Sequence, residues 1–365
     1  MKGCLAVFLK KREVFVMKKE LFGVTTGGKT VYLYTLENKN GMKMTVSDFG
    51  AVLTHLWVPG KDGQLVDVVL GYDQLAQYEN NNNVYFGATI GRNANRIDQG
   101  KFEIDGQVYQ VDQNEGENQL HGGFSGYHTR PWLVKEVDEL NQKIVFLLFS
   151  PDGDQGFPGN LSLEVSYQLT DLNELIISYT GESDKKTVFN PTNHTYFNLN
   201  GHANGTILEH SLQLDCSYYT PVKDSKSIPT GEVLPVANTP MDFKQSKKIG
   251  RDINQIVEQL QLTGGYDHNY VLDETKQETE AFVHLIGDQT GISLKGYTNL
   301  PGVQLYTGNF IEQEAGKNGV NYQKYSGLCL ETQFFPDAVN QVNFKSPYIE
   351  ENVQTVYETS YCFDA

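Results

Sequence analysis

From Thr30 to Leu36 the chain reads TVYLYTL, a stretch whose side chains alternate in character with period two. The same period recurs at Lys143–Phe149, Leu161–Leu169, Glu174–Tyr179 and Ala281–Ile286. Extended backbone sends successive side chains to opposite faces, so each stretch predicts a strand with one buried face. Turn-forming pairs punctuate the series at Asp62-Gly63, Asp105-Gly106, Asp152-Gly153, Asn200-Gly201 and Asn318-Gly319. Helical spacing is scarce. Asp252 has the character of an N-cap, followed by Ile253, Ile256, Val257 and Leu260, and a second short helix is expected after Asp73. Neither alternates with strands as a βαβ fold requires. The expected fold is all-β: a large antiparallel β-sandwich with a few short helices.

No linker divides the chain, no internal repeat is evident, and Asn80–Asn83 reads as a loop rather than a boundary. A single domain over residues 17–365 is expected. Residues 1–16 read as an N-terminal extension, because Met17 opens MKKELFG, a plausible natural start; the alternative is an ordinary N-terminal strand. The apolar run Cys4–Leu9 is too short to span a membrane and lies on the wrong side of Lys10, Lys11 and Arg12 for a secretion signal.

Composition narrows the partners. The 35 glycines and 12% aromatic residues suit many strands joined by tight turns. A net charge of -16 without a basic stripe excludes nucleic acid and anionic membrane as partners and disfavours an anionic substrate. Cys4, Cys216, Cys329 and Cys362 form no CxxC pair, so neither a zinc ribbon nor a disulfide scaffold is expected, and a reducing cytoplasm is the simplest location. The sequons at Asn160, Asn193 and Asn204 matter only in a secreted chain.

Five segments carry candidate chemistry. Read as one strand, Val188–Asn198 places Asn190, Thr192, His194, Tyr196 and Asn198 on one polar, uncharged face that suits a neutral, polyhydroxylated ligand, or equally a plain hydrogen-bonded sheet face. In SGLCLETQFF, Glu331 shares a face with Cys329 and Gln333; it is either outward-facing or buried, and burial would raise its pKa toward the range of a base. In NQLHGG, two glycines after His121 allow close backbone approach to a ligand. GRNANRI spaces Arg92 and Arg96 by four, as a phosphate clamp or as single donors to vicinal hydroxyls. GGYDHNYVL sets Asp267 beside His268. Histidine and glutamate together are sufficient for general acid/base work. His121, His194, His268, Asp267 and Glu331 are also metal-ligand types, but no HxH or HExxH spacing appears, and no metal site is expected.

Taken together, GRNANRI, NQLHGG, DGDQGFPGNL, NPTNHTYFNL, PTGEVLPV, GYDHNYVL, PGVQLYTGNF and LETQFFPDAVN resemble, in this order, the aldose 1-epimerases, also called galactose mutarotases. The resemblance covers the chain from about Met17 onward. It implies a β-sandwich of the galactose mutarotase type, a supersandwich, and cofactor-free interconversion of the α and β anomers of free aldohexoses. By the same resemblance Glu331 is the base on the C1 hydroxyl and His194 the acid on the ring oxygen. His121, Asn95, Arg96, Asp267 and Gln304 hold the sugar, and Tyr196 stands beside the acid. That scheme expects a resting pair of protonated His194 and ionised Glu331, favoured by their proximity. Two departures, His128-Thr129-Arg130 and Phe334, are expected to bear on which sugar fits. A monosaccharide substrate and a monomer or weak homodimer are expected; a hexose-phosphate mutarotase and a non-catalytic sugar-binding module are the alternatives.

Overall fold

The computed structural model describes residues 16–80, 84–273 and 279–365, so most of the expected N-terminal extension and of the Asn80–Asn83 loop lies outside the described residues. The period-two stretches are all strands: Thr30–Glu37, Lys143–Ser150, Leu161–Leu169, Glu174–Ser183 and Val283–Ile286. Four of the five lie side by side or nearly so in a nine-stranded sheet. Its order is Leu133–Asp138, Lys143–Ser150, Leu161–Leu169, Glu174–Ser183, Thr355–Asp364, Ser293–Thr298, Val283–Ile286, Ser211–Leu214 and Lys247–Lys248. Every neighbouring pair in it is antiparallel.

A second sheet of six strands runs Tyr196–Phe197, Leu328–Gln333, Gly302–Tyr306, Asp267–Val271, Tyr218–Thr220 and Leu234–Pro235, again antiparallel throughout. Five N-terminal strands from Lys18–Val24 to Leu65–Asp67 form a third sheet. One apolar core joins them: Leu163, Val165 and Ile177 from the large sheet meet Val303, Leu305, Leu328 and Leu330 from the six-stranded sheet, and Val46 and Leu56 from the third. Each such side chain contributes roughly 1.5–3 kcal/mol on burial. Tyr361 Oη in the large sheet donates to Leu330 O at 2.7 Å, pinning the two sheets together.

The two expected helices exist, but one begins late. Leu75–Asn80 follows Asp73. The other runs Glu258–Thr263, six residues beyond Asp252. The Asp252 carboxylate is taken by Lys247 Nζ at 2.8 Å and Arg251 Nη2 at 2.7 Å, so it caps nothing. Ile256 is exposed and Val257 is extended, and the helix ends on Gly264 in the left-handed region. Among the described residues, no helix is long and apolar enough to cross a membrane, and Cys216, Cys329 and Cys362 are free thiols.

Candidate active site

The six-stranded sheet turns one face to the core and the other to a cavity. Register decides which side chains share that outer face. Gln304 sits opposite both Glu331 and Asn269, Cys329 opposite both Tyr196 and Tyr306, and Tyr306 opposite Asp267. A slip of one residue in Leu328–Gln333 would send Glu331 into the core and Leu330 into the cavity. Glu331 is therefore the buried carboxylate of the two readings, at 2% exposure.

Val188–Asn198 is not the single strand expected. Thr187–Val188 pairs with Tyr348–Ile349, Thr192–Asn193 with Thr89–Ile90, and Tyr196–Phe197 with Leu328 and Cys329. The chain changes partner twice, with Pro191 lacking a ladder donor between the first two, so strict alternation fails. Asn190 is spent on structure, donating to Asn93 Oδ1 and accepting from Phe334 N, and Asn198 donates to Ser326 O. His194 and Tyr196 are the members that line the cavity.

The opposite wall comes from loops. Arg96–Ile97 pairs with Gln119–Leu120, which brings GRNANRI onto NQLHGG. The glycine after His121 serves that junction rather than a ligand: a Cβ on Gly122 would lie 1.9 Å from Gly91 O. Arg92 and Arg96 part company. Arg92 is buried and donates to Ser150 Oγ at 2.6 Å and Pro158 O at 2.6 Å, stapling a distant turn. Arg96 alone reaches the cavity, and Glu115 grips it through two bonds of 2.7 Å each. That fork fixes the guanidinium plane. With Glu115, Asp267 and Glu331 around this one arginine, the cavity is a poor host for a phosphate.

The cavity encloses about 260 Å³ and is walled by Asn95, Arg96, His121, His194, Tyr196, Asp267 and Glu331. Those are seven of the eight site residues expected; the eighth, Gln304, lies just beneath, donating to Asp267 Oδ1 at 2.6 Å. Glu115, Tyr85, Tyr306 and Phe310 also line it and were not expected. Glu115 had a signal, an acid just ahead of NQLHGG; the three aromatics had none, since rings of this kind are common core residues. His268 points away to Gln259 Oε1. Of the two departures, Phe334 packs on Tyr357 and His128 stands behind Tyr85, so neither lines the cavity.

His194 Nε2 and Glu331 Oε1 are 3.7 Å apart, both buried. The hydrogen-bond partners set the tautomer of one of the two cavity imidazoles. His121 Nδ1 accepts from Asn95 N at 3.2 Å, so neutral His121 carries its hydrogen on Nε2 and is a donor. His194 Nδ1 meets Cys329 Sγ at 3.5 Å.

Burial pushes His194 down to about 3. Burial, then His194, Arg96 and His128, hold His121 well below the usual imidazole range. Burial and the neighbouring Asp267 raise Glu331 well above the carboxylate range, against Arg96. Asp267 is raised by burial, opposed by Arg96 and Gln304. The resting ion pair expected from proximity is thus opposed by burial on both sides. Burial pushes both groups toward their uncharged forms, a neutral imidazole facing a carboxylic acid. Both forms hold one proton between the two groups, so they differ by a single transfer across the 3.7 Å gap.

Ligand atoms of His121, His194 and Glu331 lie within 4.8 Å of one another, closer than their sequence spacing suggested. A metal-bound histidine normally donates its second ring N–H outward. His121 does the reverse, accepting from Asn95 N. The arrangement at His121 is thus unlike that of a metal ligand.

The aldose 1-epimerase family model matches residues 32–362. Galactose mutarotase of Homo sapiens is 40% identical over 329 residues, covering 89% of this chain and 92% of that protein. Aldose 1-epimerase of Haemophilus influenzae is 39% identical, covering 87% and 91%. A solved aldose epimerase homologue from C. elegans superposes with a TM-score of 0.83 at 30% identity, covering 91% of this chain and 98% of that one. The chain belongs to the aldose 1-epimerase family.

Proposed function

We propose that this protein interconverts the α and β anomers of free aldohexoses such as galactose and glucose, with His194 and Glu331 moving the protons. The observation that carries the reading is the buried His194–Glu331 pair, 3.7 Å apart in a cavity otherwise lined by polar and aromatic side chains. The cavity falls just below the roughly 300–1,000 Å³ of drug-sized sites, in keeping with a single sugar ring.

When the sugar enters, its hydroxyls solvate the pair and the proton crosses from Glu331 to His194 Nε2. The carboxylate then takes the C1 hydroxyl proton while the imidazolium protonates the ring oxygen and the C1–ring oxygen bond breaks. The products are the open-chain aldehyde, protonated Glu331 and neutral His194. The pair thereby returns to the protonation state it holds before the sugar enters. Rotation about C1–C2 and reclosure on the other face return both protons by the same route. Arg96, Asp267, Asn95 and the His121 Nε2–H hold the remaining hydroxyls, and Gln304 orients Asp267. Each positioned acid or base contributes about 10²- to 10⁴-fold.

Polarimetry of freshly dissolved α-galactose tests the reading directly. Accelerated relaxation, abolished in His194→Asn, is expected. Sugar binding by calorimetry with no acceleration would mark a binding module, and faster turnover of glucose 6-phosphate than of galactose would mark a phosphate-sugar enzyme.

A further inference from the structure

The acid histidine of most proton-transfer sites is held by a carboxylate or carbonyl on its far nitrogen. Here the side chain in that position is a thiol. Cys329 is fully buried, two residues before Glu331 on the same strand face, with its Sγ 3.5 Å from His194 Nδ1. Register sets it directly opposite Tyr196, whose ring stacks on His194 at 5.0 Å. Cys329 does not line the cavity. Among the described residues, its side chain bonds His194 Nδ1.

We propose that Cys329 is a positioning residue for His194: its sulfur accepts the Nδ1–H, which keeps Nε2 bare and aimed at Glu331. This rests on the proton-transfer roles given above to His194 and Glu331. A thiol in this place has a distinct consequence. A carboxylate would stabilise the imidazolium strongly and make it a poor acid. Sulfur is a weak acceptor, so it fixes the ring and the tautomer while leaving the imidazolium ready to give its proton to a weakly basic ring oxygen.

Among the described residues, no side chain around His194 offers Nδ1 a stronger acceptor. Glu331 faces Nε2 at 3.7 Å. His121 meets the ring edge at 5.2 Å from one loop and Tyr85 lies at 5.5 Å from another, with His128 behind it. Tyr306 approaches at 6.3 Å from the next strand, and Arg96 and Asp267 lie across the cavity. Substituting Cys329 therefore alters the Nδ1 partner and leaves the charges around Nε2 in place.

Cys329→Ala and Cys329→Ser separate this role from simple packing. Cys329→Ala is expected to lower kcat for galactose about 10- to 100-fold, the usual effect of removing the group that orients a working histidine, with KM little changed. Cys329→Ser, which restores an acceptor, is expected to recover most of that loss. The acid limb of the kcat–pH profile should move down in Cys329→Ala, where the imidazolium loses its acceptor, and up in Cys329→Ser, where oxygen accepts more strongly than sulfur. Wild-type kcat in Cys329→Ala, or both limbs moving together, overturns the proposal. Ring ¹⁵N shifts of His194 in the wild-type protein provide a check that needs no variant: a hydrogen-bearing Nδ1 and bare Nε2 at neutral pH are expected, and the reverse assignment overturns it. That spectrum reads the tautomer even if the wild-type protein fails to mutarotate, a result that would sink the functional reading instead.

Discussion

Replacing Glu331 with glutamine should separate activity from stability in opposite directions. The change keeps the shape of the side chain but removes both its basicity and its titration. Loss of the base is expected to slow mutarotation about 10²- to 10⁴-fold, equivalent to about 3–5 kcal/mol in the barrier. Stability responds differently. In the unfolded chain this carboxyl ionises near 4.5; in the fold, burial and Asp267 keep its proton on to much higher pH, and Oε2 has no hydrogen-bond partner. Between those two points the unfolded state holds fewer protons than the folded one. Wild-type stability therefore falls as pH rises through that window, by up to about 1.4 kcal/mol per pH unit. Glutamine has no such slope. Urea denaturation at about pH 4 and about pH 8, with polarimetry on the same samples, should show an inactive variant that gains on the wild type only at the higher pH. Near-normal rates would remove the base from the scheme. A stability difference that does not change with pH would show that Glu331 ionises freely in the fold.

Glu115→Gln weakens the fork on Arg96, and KM for galactose is expected to rise about tenfold with a smaller change in kcat, read from initial-rate kinetics. Because burial pushes His194 to about 3, kcat/KM should persist well below the pH near 6.5 at which an ordinary imidazole charges, falling only as the pair gains a second proton; an acid limb centred near 6.5 would refute the burial argument. Lys317 is buried, with Nζ donating to Asp67 Oδ2 at 2.6 Å, Val69 O at 2.7 Å and Thr54 O at 3.0 Å. Lys317→Met should cost about 3–5 kcal/mol in urea unfolding while leaving KM unchanged. Exhaustive dialysis against a chelator should leave the mutarotation rate unaltered, since His121 presents a hydrogen rather than a lone pair to the cavity.

Strand positions were legible because period two is a local property: Leu161–Leu169 needs only its own residues to declare two faces, and it forms as read. His194 and Glu331 were legible for a related reason, as an imidazole and a carboxylate set in otherwise uncharged strand segments. The helix after Asp252 was misplaced because a long-range fact overrode a local one. Lys247 and Arg251 claimed the carboxylate that would have capped it. Likewise Arg92 and Arg96 look equivalent four residues apart, yet one staples a turn and the other enters the cavity.

By itself, then, the order of residues determined the all-β class, the family and the side chains able to carry protons, since each depends on side-chain identity and local periodicity. Tertiary structure alone decided how those groups are buried and which partners their atoms meet. Whether Glu331 is a carboxylate or an acid, and which nitrogen of His121 or His194 holds hydrogen, depends on water being excluded and on partners such as Asn95 N and Cys329 Sγ arriving from distant strands and loops. Desolvation is a property of the assembled cavity, and no stretch of chain possesses it before folding.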